Sequence, residues 1–298
     1  MQPYSYRSTL PVEIRDCTRE TSSMSSEPTI GFLHPGAMGS TLAKCCVAET
    51  RLWVDAGRSG ATAERAEEAG LTAVSSLTEL SSRADIIVSI CPPAAAANIA
   101  DEVAASSFEG IYVDANAIAP KQSRAIAERF EHFVDASVIG PPPREPGATR
   151  LYLSGPTALT QEVANLWTGS FLDARTIGAE PGEASALKMA YAAWTKGSAA
   201  LLLAVAALAE SEGVAGPLHD EWNLSQPDLG ARVDASAAGA GPKAWRFVGE
   251  MEQIAATFAD AGLPDGFHLA AADTYKRLAE FKDSSPSRDD VVGRLSAP

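Results

Sequence analysis

The stretch Gly31-Phe-Leu-His34-Pro35-Gly36-Ala37-Met38-Gly39 decides the reading of this chain, because it lies one residue away from a dinucleotide-binding turn. Thr29-Ile30 and Phe32-Leu33 lead into it as a buried strand would, and Thr41 to Ala48 leads out of it as a helix. In the fingerprint G-x-G-x-x-G the first glycine makes the tight turn, the second lets the backbone approach a pyrophosphate, and the third lets helix pack on strand. The phosphates then sit at the helix N-terminus. Gly36 and Gly39 hold the second and third places, and His34 stands where the first glycine belongs. Pro35 biases the residue before it toward extended backbone. His34 is therefore expected to complete the strand rather than adopt a glycine-only conformation. Taken alone, a G-x-x-G also suits any small-residue strand-to-helix turn.

Composition narrows the partners. A chain of 298 residues, 46% hydrophobic and 21% charged, has the balance of a soluble globular protein of two domains or one large one. Its net charge of −14 argues against nucleic acid or an anionic membrane as a general partner, since either would repel such a surface. The longest apolar stretch, Ala199 to Ala209, is too short for a bilayer and reads as the middle of a buried helix. The four cysteines, Cys17, Cys45, Cys46 and Cys91, show neither metal-ligand spacing nor a disulfide framework, so no metal site and a reduced, cytoplasmic setting are expected. Residues 1–28 are rich in Ser, Thr and Arg, carry several acidic residues and lack an apolar core. They read as a disordered extension rather than a targeting segment.

From Thr29 to Ile177 short apolar runs alternate with alanine-rich amphipathic segments, the pattern of a parallel sheet with crossover helices. The expected strands are Thr29–Leu33, Arg51–Asp55, Asp85–Ile90, Gly110–Asp114, His132–Asp135, Leu151–Ser154 and Phe171–Ile177, with helices such as Ala61–Ala69, Ala94–Ala104 and Lys121–Phe130 between them. After Gly178 the texture changes. Glu183 to Ser211 is one long helical stretch, and Ala244, Phe247, Val248, Met251, Ile254, Ala255 and Phe258 share one face of another. Gly216 to Gly241, rich in Gly, Ala, Pro and Asp, reads as a loop. The fold expected is α/β: a Rossmann-type doubly wound sheet over residues 29–178, followed by an all-helical domain over 179–298.

Chemistry is expected beyond the carboxyl ends of the strands, where such sheets bind ligands. The second strand runs into Asp55-Ala-Gly-Arg58-Ser59, which offers both an acidic residue for a ribose hydroxyl and an arginine for a 2′-phosphate. Arg58 and Ser59 are suited to charge-assisted hydrogen bonds with a phosphate. Cys91-Pro92-Pro93 and Asn116 end two further strands, and Asn116 offers one donor and one acceptor face to a substrate or simply satisfies backbone groups. Cys91 has no histidine partner in sequence to make it a nucleophile. The stiff run Gly140-Pro-Pro-Pro-Arg144 follows Asp135-Ala-Ser-Val-Ile139. Lys188 lies in the first third of a helix made mostly of Ala, Leu, Met and Tyr, so its ammonium is expected to be partly desolvated. Desolvation lowers a lysine pKa toward the range useful for proton transfer, although a lysine can also snorkel from an apolar face.

Together these residues resemble the β-hydroxyacid dehydrogenase and 6-phosphogluconate dehydrogenase superfamily over about Thr29 to Ser284. The family's G-F-I-G-L-G-x-M-G is matched at Gly31, Phe32, Gly36, Met38 and Gly39 but not at His34, and Arg58-Ser59 matches the N-R-S/T of its NADP-preferring members. Cys91-Pro92-Pro93 echoes its L-P-P, Asp114 to Pro120 its D-x-S-T-x-x-P with Asn116 for serine, and Asp135 to Pro141 its D-A-P-V-S-G-G. Its catalytic G-x-G-x-x-x-K-x-x-N-N falls on Gly182, Ala184 and Lys188, with Tyr191 and Ala192 replacing the asparagines. The family's later K-D aligns with Gly249-Glu250, leaving Lys243 or Arg246 to supply a cation, and the overall texture is similar to a phosphogluconate-dehydrogenase-like branch.

The resemblance implies an NADP-preferring oxidoreductase, NAD being the lesser alternative, that acts on a small molecule bearing a hydroxyl or carbonyl. Lys188 would be the general acid/base, Asn116 would orient the substrate, and Tyr191 would be a second acid. The cofactor would lie on Gly31, His34, Pro35, Gly36, Ala37, Met38, Gly39, Arg58, Ser59, Cys91, Pro92, Pro93 and Asn116. A homodimer through the helical domain is implied by the same analogy. Two rival readings stand beside it: an imine or ketimine reductase with Tyr191 as proton donor, and a dinucleotide-binding protein without chemistry.

Overall fold

A computed structural model describes residues 27–297 of the chain, so almost all of the extension expected over residues 1–28 lies outside the described residues. Eight strands form one sheet in the order β3-β2-β1-β4-β5-β6-β7-β8. These are β1 (Ile30–Leu33), β2 (Arg51–Val54), β3 (Thr72–Val74), β4 (Ile86–Ser89), β5 (Ile111–Asp114), β6 (Phe133–Ile139), β7 (Thr149–Ser154) and β8 (Leu172–Gly178). The central strands β1, β4, β5 and β6 are buried along their whole length, as a sheet covered by helices on both faces requires. Those helices are α1 (Ala37–Cys45), α2 (Gly60–Glu68), α3 (Leu77–Arg83), α4 (Ala96–Ala105), α5 (Pro120–Ala127) and α6 (Thr157–Asn165). One face of the sheet packs through Phe32, Leu42, Val113 and Trp167, the other through Leu52, Leu80, Tyr112 and Ile126.

The sheet is parallel, as expected, except at one pair of strands. β6 pairs antiparallel with β7, while β8 returns parallel to β7. Only residues 140–148 join β6 to β7, and a parallel crossover needs a dozen or more residues, so the chain turns straight back. β6 itself runs on to Ile139, beyond its expected end at Asp135. The expected elements did not include β3 or α3; β3 is a three-residue edge strand with only Val74 buried, too short to show an alternating pattern.

The remainder is helical and organised around α7 (Glu183–Ser211). At 1.5 Å per residue its 29 residues span roughly 44 Å. By length and composition α7 is the one helix among the described residues that matches a membrane span, longer than the Ala199–Ala209 run suggested. In this fold Met189, Ala192, Ala200, Leu203, Ala206 and Ala207 face a protein core instead. Around it pack α8 (Ala215–Ser225), α9 (Leu229–Ala240), α10 (Ala244–Asp260), α11 (Gly266–Arg277) and α12 (Arg288–Ser296). Helices α8 and α9 overturn the loop expected over Gly216–Gly241. Glycines and alanines there are tolerated inside helices because Trp222, Val233 and Ala237 bury one face.

Candidate active site

The turn after β1 departs from its expectation in one respect. His34 has φ of +64°, the left-handed conformation that the glycine of the fingerprint supplies, so it does not extend the strand. Its carbonyl must swing round to accept the Gly36 N–H at 2.6 Å, and this closure overrides the preference imposed by Pro35. Histidine is one of the few side chains enriched in that region, which makes it a workable substitute. Gly39 is obligatory for packing: a Cβ there would lie 2.8 Å from Ile90 Cγ2 and 3.1 Å from the His34 carbonyl oxygen. Gly36 is different, because a Cβ would meet nothing closer than 3.9 Å. Its open face and the uncapped first turn of α1 leave backbone amides available to an anion.

Arg58 reaches the same place. Its N–H closes a turn on the Asp55 carbonyl at 3.1 Å, with Gly57 in the left-handed region at +72°. Ser59 follows as the cap of α2 and accepts the Thr62 N–H at 3.3 Å, so its hydroxyl is already engaged. Asp55, Arg58 and Ser59 are all exposed. Burial, with the Arg58 charge behind it, lowers His34 to about 4, and its Nδ1 is buried without a partner among the described residues. The imidazole is therefore neutral near pH 7, and the guanidinium is close enough to act on it.

At the ends of β4 and β5, Asn116 is buried and its carboxamide ties two loops together. Oδ1 accepts the Cys91 N–H at 2.6 Å, and Nδ2 donates to Ser89 Oγ at 3.2 Å. Its own N–H donates to Asp114 Oδ1 at 2.9 Å. Asn116 is thus hydrogen-bonded to backbone and strand-end groups. Burial pushes the Cys91 thiol up to about 12, with the Asp114 charge adding to it, which keeps the thiol protonated near neutral pH. Burial likewise raises fully buried Asp114 to about 7. Pro92 is exposed, and Pro93 opens a short 3-10 turn.

Lys188 is positioned from β6. The buried Asp135 carboxylate accepts the N–H groups of Gly182 at 3.0 Å and Ser185 at 2.9 Å, together with the Ser185 hydroxyl at 2.7 Å. Ser154 Oγ donates to Asp135 at 3.2 Å and accepts the Ala184 N–H at 3.0 Å. A carboxylate there satisfies the orphan amides of α7 and complements its dipole. Gly182 enters at φ +94°, where a Cβ would meet Arg124 Nη1 at 2.6 Å. So docked, α7 delivers Lys188 Nζ to the Val138 carbonyl at 2.7 Å. Burial, with Lys196 and Arg246 adding to it against Glu250, lowers Lys188 to about 8. Tyr191, one turn on, is 48% exposed and packs in no core.

Of the charged groups that act on Lys188, the sequence pointed to Arg246 and to the Glu250 position but not to Lys196. Lys196 of α7 and Glu250 of α10 form a largely buried ion pair, and Arg246 lies a turn before Glu250. A second lysine eight residues after Lys188 in an apolar helix was the available signal. Helix α10 also docks on the strand ends, where Gln253 Oε1 accepts the Ala119 N–H at 2.8 Å. Beside the ion pair, Lys196, Arg232, Phe247 and Tyr275 line a cavity of about 500 Å³. Of the two cations offered in place of the family lysine, Arg246 is the one whose charge acts on Lys188, and Lys243 lies just before the first residue of α10; Arg144 is exposed in the β6–β7 loop. Among the described residues no group of three or more His, Cys, Asp or Glu side chains converges as a metal site.

Residues 29–118 match the family described as NADP oxidoreductase coenzyme F420-dependent, and residues 209–278 match a domain of unknown function, DUF1932. An uncharacterized 28.5 kDa protein in the 7S RNA 5′ region of Methanothermus fervidus is 30% identical over 188 residues, which cover 62% of this chain and 72% of that protein. A conserved protein of unknown function whose structure reveals similarity with 3-hydroxyacid dehydrogenases is 26% identical, with a TM-score of 0.63 over 85% of this chain and 98% of its own. The chain belongs to the β-hydroxyacid dehydrogenase-like superfamily. Its architecture is that of these NAD(P)-binding Rossmann oxidoreductases. Mycobacterium tuberculosis 3-hydroxyisobutyrate dehydrogenase, at 18% identity, shares the fold with a TM-score of 0.68 over 91% of this chain and all of that one.

Proposed function

We propose that this superfamily member is an NADP-preferring oxidoreductase that interconverts a hydroxyl and a carbonyl on a small molecule, with Lys188 as general acid/base. The observation that carries this reading is the state of Lys188: a half-buried amine, held 2.7 Å from the Val138 carbonyl and lowered to about 8, which exchanges a proton near neutral pH. The residues present fit a dinucleotide. The open face of Gly36, the free amides of α1 and the exposed Arg58 would hold its phosphates, while Asn116 keeps the Cys91–Pro93 loop in place beside it. When bound, the nicotinamide supplies the hydride chemistry. The neutral Lys188 amine accepts the hydroxyl proton during oxidation, and the ammonium returns it during reduction. The Val138 carbonyl orients the amine for both.

A Lys188→Ala variant tests this. It should bind NADPH as tightly as the native chain and lose turnover of hydroxyl and carbonyl compounds. Retained imine reduction in that variant would transfer the donor role to Tyr191, and no turnover of any carbonyl or imine by the native chain would favour a binding protein without chemistry. The assembly proposed is a homodimer. Tyr191, Trp194, Leu201 and Leu208 lie along one stripe of α7, and the last three are more than 60% exposed, an apolar seam suited to the same seam of a second copy. Light scattering after chromatography should give twice the chain mass, and Leu201→Glu should halve it.

A further inference from the structure

We propose that Lys196 is a positioning residue for Lys188: it holds the Glu250 carboxylate in an ion pair and so keeps that carboxylate from partnering the Lys188 ammonium. The inference rests on Lys188 as the proton-transfer group, and it assigns a role to Lys196, which lies outside the family motifs aligned above, through Glu250, which stands at the second position of the family's K-D.

Glu250 pairs with Lys196, and its charge also acts on Lys188. Lys188 and Lys196 sit on the same helix, about 12 Å apart along its axis. Glu250 comes to them from α10, with Arg246 one turn earlier on that helix. Lys196 has the better-built seat. Its ammonium pairs with Glu250, its side chain lies over the Phe247 ring at 4.9 Å, and its backbone carbonyl accepts the Tyr275 hydroxyl at 2.8 Å. Both members of the pair are mostly buried, at 16% and 12% side-chain exposure, so the attraction is little screened. Lys188 instead donates to a neutral carbonyl, that of Val138. The charged groups acting on it are Lys196 from its own helix and Glu250 and Arg246 from α10; β6 offers it only the carbonyl.

Burial pushes Glu250 up, yet Lys196, by charge and hydrogen bond, brings it below the usual carboxylate range, with Lys188 and Arg246 contributing less. Burial lowers Lys188, Lys196 and Arg246 add to it, and the opposing pull of Glu250 is divided with Lys196, its ion-pair partner. A neutral residue at 196 would return Glu250 to Lys188 and keep it protonated. A neutral residue at 250 would do the reverse, leaving Lys188 beside two uncompensated cations.

The test is the titration of Lys188 itself in the full-length, ligand-free chain. Reductive ¹³C-methylation labels the seven lysines, and Lys188→Arg identifies the resonance. The native midpoint should lie near 8. In Lys196→Met it should rise by about one pH unit or more, and in Glu250→Gln it should fall by a similar amount, as expected for a close charge gained or lost. Lys196→Arg, which keeps the charge, should restore the native midpoint. Loosened packing would move both neutral variants upward toward an ordinary lysine, so opposite shifts separate positioning from damage. Shifts in the same direction, or Lys196→Arg behaving like Lys196→Met, would overturn the role of Lys196. A native Lys188 that titrates as an ordinary lysine would instead overturn its assignment as the proton-transfer group.

Discussion

Asp135→Ala is the perturbation whose cost the structure defines best. Asp135 is fully buried, and its two oxygens accept four hydrogen bonds, two of them from backbone amides at the start of α7. Removing the carboxylate leaves the Gly182 and Ser185 N–H groups without an acceptor, at about 1–3 kcal/mol each. It also deletes a charge aligned with the dipole of a 29-residue helix, worth up to about 2 kcal/mol in a buried geometry. Relaxation and water entry return part of this, so the expected loss is about 3–5 kcal/mol, against about 1 kcal/mol for Ser154→Ala, which removes a single bridging hydroxyl. Urea unfolding followed by tryptophan fluorescence gives the free energy, and hydrogen exchange at Ala184–Lys188 locates it. The Lys188 midpoint should drift up toward an ordinary lysine as the helix end loosens. A loss below about 1 kcal/mol with exchange protection intact would refute the idea that Asp135 docks α7 on the sheet.

Three further outcomes follow from the same structure. Arg58→Ala should weaken NADPH binding by about 10–100-fold, the worth of a charge-assisted phosphate contact, and leave NADH binding unchanged in calorimetry; equal losses for both would remove Arg58 from the 2′-phosphate. Asp114 is raised to about 7 in the folded chain, so its contribution to stability is complete below its unfolded value of about 3.8 and is lost as pH rises through 7. Asp114→Asn should therefore flatten the fall in stability between pH 4 and 7, and an unchanged slope would point to other groups. His34→Gly should be neutral or stabilising by up to about 1 kcal/mol, because relief of the left-handed backbone offsets glycine's entropy, whereas His34→Val should lower the melting temperature. A valine variant as stable as the native chain would contradict the positive φ.

How much of this was legible in the sequence depended on whether the deciding interaction was local. Gly36 and Gly39, the buried runs at Ile30–Leu33 and Ile86–Ser89, and the uninterrupted Glu183–Ser211 helix carry their own periodicity, and each lies where its pattern predicts. His34 does not, because a hydrogen bond to the next turn residue outweighs the neighbouring proline. The Gly216–Gly241 region hides two helices because alanine and glycine give no contrast between faces until Trp222 and Val233 are packed. The direction of β7 depends on the length of a connection, not on the strand's composition. Lys188 was visible as an amine in an apolar helix, but Lys196 and Glu250 are 54 residues apart and meet only through the packing of α10 on α7.

Strand β6 touches α7 twice, through the Asp135 carboxylate at the helix end and through the Val138 carbonyl at Lys188. Two separate attachments to one strand allow a rod neither to swivel nor to slide. Mechanically, the first turns of α7 are therefore part of the nucleotide-binding half, although in sequence they open the helical half. The amine and the sheet that would carry the nicotinamide are thereby held in one frame.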